Sequence, residues 1–235
     1  MAFLIEHPRE LRTLNTQTRF GAGIGLLVAA SMTLTACGGD SDSGADSKDK
    51  IKGAESSSTP PPATSTPSST PMDDGIDRPE IKLPADVKNV FEDSKTGDPK
   101  KDAVLADSER RINSVDHAVL SGNPKSPALK FYSSGPALTS AIQYVNGFLQ
   151  NNKSFTGESR YYQRKVTLLD DENAVVSYCM DTTEANSKDR KTGKVTKAPG
   201  GPIDYVFFNT RVKKNQTGVW QTNYVNSTEK AKRCM

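Results

Sequence analysis

The hydrophobic positions change their period once along this chain. From residue 83 to about residue 150, apolar residues recur every three to four positions, the spacing that lines one face of a helix. Leu83, Val87, Val90 and Phe91 fall at i, i+4, i+7 and i+8 and predict a short helix ended by Gly97. Asp98-Pro99 reads as an N-cap followed by proline at the first helical position. The helix it opens carries Leu105, Ser108, Ile112, Val115 and Val119 on one stripe, with Gly122 as its stop. Ser126-Pro127 starts a shorter helix that Gly135-Pro136 breaks. A longer one follows, with Leu138, Ile142, Val145 and Leu149 on one face, and ends at Asn151-Asn152.

Beyond residue 160 the period becomes two. Tyr162, Arg164, Val166 and Leu168 share one phase of a strand over residues 160–169, closed by the turn Asp170-Asp171-Glu172-Asn173. In residues 174–184, Val176, Tyr178 and Met180 alternate with Ser177, Cys179 and Asp181. A polar excursion over residues 185–202 leads to a strand over residues 204–214, with Val206, Phe208, Thr210 and Val212 in phase. The turn at residues 214–218 returns the chain to a last strand, with Trp220, Thr222 and Tyr224 in register. Helices followed by four hairpin-linked strands predict an α+β domain over residues 81–235, its helices packed on one face of a four-stranded antiparallel sheet. Strands of about ten residues should twist and curl around those helices.

The chain ahead of that domain is of another kind. Residues 37–80 are rich in Ser, Thr, Pro, Gly and Asp with almost no large apolar side chain. Burial there cannot offset the entropy of ordering, so a disordered tether is predicted. Residues 56–71 are Ser, Thr or Pro at every position but Ala63. Such a stretch favours an extended rod of about 3 Å per residue, a spacer, and its hydroxyls also suit O-glycosylation. Three N-glycosylation patterns also occur, at Asn152, Asn215 and Asn226.

The first 36 residues read as a signal peptide. Arg9, Arg12 and Arg19 supply the positive start, and residues 20–36 form an uncharged, largely apolar stretch, short of the roughly 20 residues that span a bilayer. Leu34-Thr35-Ala36-Cys37 resembles the lipobox of bacterial lipoproteins, in which the cysteine takes a diacylglycerol and becomes the new N-terminus. The resemblance implies an extracytoplasmic protein anchored to the cytoplasmic membrane through Cys37, since two or more acyl chains anchor stably.

Net charge is +3, unevenly spread. The tether is acidic and the domain mildly basic, too mildly to imply nucleic acid. Three cysteines fit export: with Cys37 acylated, Cys179 and Cys234 remain as a pair where disulfides persist. Metal binding or a catalytic thiol is the alternative. One histidine beyond Cys37 and no CxxC favour the disulfide, and neither metal nor cofactor is expected.

The order of helices and long hairpins resembles the nuclear transport factor 2-like fold, an α+β cone. Four segments, Gly157-Glu158-Ser159-Arg160-Tyr161-Tyr162, Val176-Ser177-Tyr178-Cys179-Met180-Asp181, residues 188–195 and Gly218-Val219-Trp220-Gln221-Thr222, resemble exported actinobacterial-type lipoproteins of unassigned activity. The resemblance implies a cone whose pocket lies between sheet and helices. Catalytic members resemble dehydratases and isomerases that place Asp, His or Tyr there. An acid often expected where Met180 stands is absent.

Candidate chemistry is sparse. Asp116 and His117 offer acid–base groups, or a helix rim. Asp181 offers a buried acid, or a strand-end carboxylate paired with a lysine. Tyr178, Tyr205 and Tyr224 would line a pocket, or pack as aromatic core. Lys188, Arg190, Lys191, Lys194 and Lys197 put five cations in ten residues, suited to an anionic surface or to a solvated loop. With one histidine beyond Cys37 no Ser-His-Asp arrangement can be argued, and the sequence has no phosphate-binding glycine loop. Three functions stay open: a non-catalytic ligand- or protein-binding domain, a dehydratase- or isomerase-type enzyme, and a scaffold that docks an envelope protein or wall polymer.

Overall fold

The computed structural model describes residues 74–235. The expected signal peptide, Cys37 and the expected tether as far as residue 73 lie outside the described residues. The last stretch assigned to the tether is tied to the domain. The Arg78 guanidinium lies 2.5 Å from Asp74 and 3.2 Å from Asp107.

The described chain is α+β, with three helices against one curled sheet. Its first element is a strand, β1 (Val87–Phe91), where the apolar spacing predicts a helix. Positions 87 and 91 are four apart, which satisfies a strand's inner face as well as a helix's, and five residues alone make a marginal helix. Pairing decides the outcome. β1 runs parallel to β2 (Lys153–Leu168), in register from Val87↔Gly157 to Phe91↔Tyr161.

The helices begin where a cap or a proline places them. In α1 (Pro99–Ser121) the Asp98 carboxylate accepts the amides of Lys100 and Lys101, and Gly122 closes the helix at φ 72°. α2 (Pro127–Tyr132) and α3 (Gly135–Gln150) each carry a proline in the first turn. The apolar stripe predicted for α1 understates its burial, because Asp107, Ser108, Glu109, Ser114 and Asp116 are buried alongside Val104, Leu105 and Val119.

The sheet has seven strands rather than four. β3 (Asn173–Asp181), β4 (Ala185–Asp189), β5 (Val195–Thr196), β6 (Tyr205–Lys214) and β7 (Trp220–Glu229) complete the order β5-β4-β2-β3-β6-β7, with β1 pairing β2 off this path. The extra strands are β1, where the apolar spacing predicts a helix, and the two that the polar excursion forms, whose Asp189 turn builds the β4–β5 hairpin. β2 is also longer than predicted. Its first residues, Lys153 to Gly157, pair β4, and Arg160 to Leu168 pair β3.

A bulge in β2 sets which side chains face the helices. The register against β3 shifts between Tyr162 and Lys165, with Gln163 at φ 51°. One extra residue flips the phase. Ser159 and Tyr161 are buried before it, and Arg164 and Val166 after it. Tyr161 therefore enters the core where the alternation predicts Tyr162.

Two apolar clusters fill the space between sheet and helices. One joins Leu105 and Ile112 to Tyr161, Val176, Tyr178 and Trp220, and the other joins Val119, Leu129, Val145 and Phe148 to Val87 and Phe155. A third lies around the Cys179–Cys234 disulfide, where the C-terminal turn packs on Tyr162, Tyr205 and Phe207. The cysteine pairing expected from the sequence is present, with 5.5 Å between the two Cα atoms.

Candidate functional site

α1 carries three buried carboxylates, and their surroundings differ. Asp107 accepts the Trp220 amide at 2.9 Å and meets Arg110 and Arg78. Glu109 is paired with Arg164, which the bulge turns inward and which also donates to the Leu105 and Glu92 carbonyls. Both are held by cations and by backbone. They tie the helix to the sheet.

Asp116 has no such cation in contact. Its Oδ2 accepts from the Asn89 amide at 2.6 Å, and the same amide donates to Asn113 Oδ1 at 2.8 Å. Asn89 sits on the inner side of β1 between Val87 and Phe91, so the strand places it under α1. Burial pushes the Asp116 carboxyl up to about 6, against the pull of the Asn89 hydrogen bond and the Arg111 charge. Three phenols lie within reach of its charge. Tyr144 on α3, Tyr161 on β2 and Tyr178 on β3 are all raised, first by burial and then by neighbours that include Asp116. Arg111 opposes the shift at Tyr178 through its charge and a hydrogen bond.

This arrangement has the elements of an acid–base site. A carboxyl titrating near neutrality stands among hydroxyls that stay protonated, next to an amide and a guanidinium. Asn89 Oδ1 and Arg111 Nε are buried without a hydrogen-bond partner. The rings are packed on one another, however. Tyr161 stacks on Phe91 at 4.9 Å and meets Tyr178 edge-on at 6.1 Å, while Tyr178 stacks on Phe208 at 5.0 Å. Two depressions open elsewhere in the described surface. One of about 710 Å³ lies by Leu169, Arg211 and Tyr224, and one of about 160 Å³ by Asp86, Phe155 and Arg190. Neither includes Asp116.

The residues singled out in the sequence are mostly not brought together. His117 turns to the rim, where its Nδ1 donates to the Lys82 carbonyl at 2.9 Å, away from Asp116's cluster. The three predicted tyrosines separate. Tyr178 is core, Tyr205 lies by the disulfide, and Tyr224 is 47% exposed with Arg211 over its ring. Asp181 pairs with Arg160 at 3.3 Å rather than with a lysine, and accepts from Thr183. In the basic loop, Lys188 is paired with Asp86 at 2.8 Å, and Arg190 donates to the Val119 and Leu120 carbonyls that end α1. Lys191, Lys194 and Lys197 are exposed. Among the described residues, no three of His, Cys, Asp and Glu gather as a metal site.

A curled, mainly antiparallel sheet with helices packed on one face, and a cluster of buried polar side chains between them, defines the architecture. Among solved structures the chain is similar to a nuclear transport factor 2-like superfamily protein from Salmonella enterica, at 11% identity over 56% of this chain and 94% of that one, with a TM-score of 0.37. It is similar to a ketosteroid isomerase-like protein from Erwinia carotovora at 18% identity, over 50% and 92%, with a TM-score of 0.31. It is also similar to the intermembrane space region of the chloroplast protein ARC6, at 11% identity over 57% and 98%, with a TM-score of 0.36. No family model matches the chain, and no curated protein matches it in sequence.

Proposed function

We propose that this protein is a lipid-anchored, extracytoplasmic binding module built on a nuclear transport factor 2-like cone. Cys37 carries the diacylglycerol, the chain from there to residue 73 acts as a spacer, and the domain over residues 81–235, to which Arg78 ties the segment just ahead of it, binds an envelope protein or wall polymer without turning it over. The observation that carries the non-catalytic reading is the filled interior. Where a cone of this kind would admit a substrate, the chain packs Phe91, Tyr161, Tyr178 and Phe208 in ring contact.

A second reading, acid–base catalysis of dehydratase or isomerase type, is favoured by one feature: Asp116, buried and pushed up to about 6 beside unpartnered Asn89 Oδ1. Crosslinking in intact cells of the native host, followed by affinity capture, separates the two. The binding reading expects the same partner on wild type and on Asp116→Asn, with the exposed surface making the contact. Loss of function in a folded Asp116→Asn variant that still captures its partner would place the activity inside the cone instead.

A further inference from the structure

We infer that the tip of the β4–β5 hairpin is a docking surface for an anionic phospholipid bilayer. The five cations of this segment divide by position. Lys188 and Arg190 are spent at its base, on Asp86 and on the end of α1. Lys191, Lys194 and Lys197 are exposed and have no acidic partner among the described residues, and residues 190–197 hold no acid at all. The tip is built rather than loose. Asp189 Oδ1 accepts the amides of Lys191 and Thr192, Gly193 turns at φ 72°, and the Asp189 amide returns to the Lys194 carbonyl at 2.9 Å. Asn152 holds the other oxygen of Asp189, so that carboxylate is occupied by the turn.

Between the lysines stands Val195, 49% exposed. Lysines on an edge strand also block strand pairing, but that purpose needs no apolar side chain among them. An apolar residue ringed by long basic stems suits a bilayer interface. There the valine enters the headgroup boundary while the stems lie along it and the ammonium groups reach phosphate. A soluble polyanion would use the charges and leave Val195 in water. The inference rests on the anchored reading for its setting: thirty-six residues separate Cys37 from Asp74, so the hairpin works at a membrane held close by the same chain. Each lysine near an anionic surface is worth about a fivefold gain in occupancy, on the order of a hundredfold for three.

The test is amine footprinting of the full acylated chain on vesicles, read by mass spectrometry. Vesicles of phosphatidylcholine alone are compared with vesicles containing about one third phosphatidylglycerol. Lys191, Lys194 and Lys197 should label about fivefold more slowly on the anionic vesicles in ~0.05 M salt and recover in ~0.5 M salt. The exposed Lys165 and Lys213 on the sheet should not change. Val195→Asp, at an exposed position, should reduce the protection with the fold intact. Equal labelling on both vesicle types overturns the docking while leaving the anchor, which cosedimentation reports. A chain that fails to sediment with either vesicle instead overturns the anchored reading. Protection by soluble polyphosphate but not by anionic vesicles also overturns the bilayer as the ligand.

Discussion

Single residues decide most of what this domain does with charge. Asp116 is the clearest case. Its folded carboxyl titrates near 6 against a usual value of 3.8, so the fold favours the protonated form. The contribution to stability is therefore full below about pH 3.8 and is lost as pH rises through about 6, on the order of 3 kcal/mol in all. Asp116→Asn should accordingly be more stable than wild type at pH 8, by up to that amount, and the two should converge near pH 4. Urea denaturation at both pH values checks this, and two parallel stability curves would contradict it. Arg164 works the other way. Removing it leaves Glu109 buried without its cation, so Arg164→Ala should lose about 3–5 kcal/mol in the same assay. The alternation of β2 puts Arg164 in phase with Val166 but leaves Tyr161 on the other face. The extra residue at Gln163 reverses the phase, so Tyr161 and Arg164 go inside together, which a strict period of two forbids.

At the scale of elements, β2 carries the architecture because five other segments depend on where it bends. Gly157 is the bend. At φ 99° its position suits no other residue, and a Cβ there would run into the Glu184 carbonyl between β3 and β4. Its amide also donates to the Asp86 carbonyl at 2.8 Å, at the mouth of β1. Gly157→Ala should cost more than about 3 kcal/mol, measured by thermal unfolding, with loss of the β1 and β4 pairings visible in amide exchange. α1 was legible in the sequence because its caps announce it, and α2 and α3 because each has a proline in its first turn. Asp98-Pro99 and Gly122 bracket α1 as the structure places it. The hairpin turns at Asp170 and Asn215 were legible for the same reason, since their side chains accept the turn's own amides. β1 and β4 were not legible. β1 has a spacing common to helix and strand, and β4, Ala-Asn-Ser-Lys-Asp, owes its conformation to pairing with β2 rather than to its own composition.

For the whole molecule, the outer face is secured by the C-terminus. The Cys179–Cys234 bridge spans 55 residues, and the Tyr162 hydroxyl donates to the Cys234 carbonyl beside it. On the chain-entropy account a loop of that length stabilises by about 4 kcal/mol. Reduction should therefore lower the urea midpoint of the intact chain by an amount the matched Cys179→Ala/Cys234→Ala variant reproduces. Cysteine counting predicted this pair, whereas the interior cluster around Asp116 was only half visible. The aspartate itself was in view, but its partners Asn89, Arg111, Tyr144 and Tyr161 come from four different elements that only the curl of the sheet brings together.

Intact-mass analysis of the protein extracted from the membranes of its native host tests the proposed anchor at Cys37 most directly. The predicted species begins at Cys37 and carries a thioether-linked diacylglycerol, with residues 37–235 otherwise intact apart from the disulfide. A species that retains residues 1–36, or one with an unmodified thiol at Cys37, contradicts it.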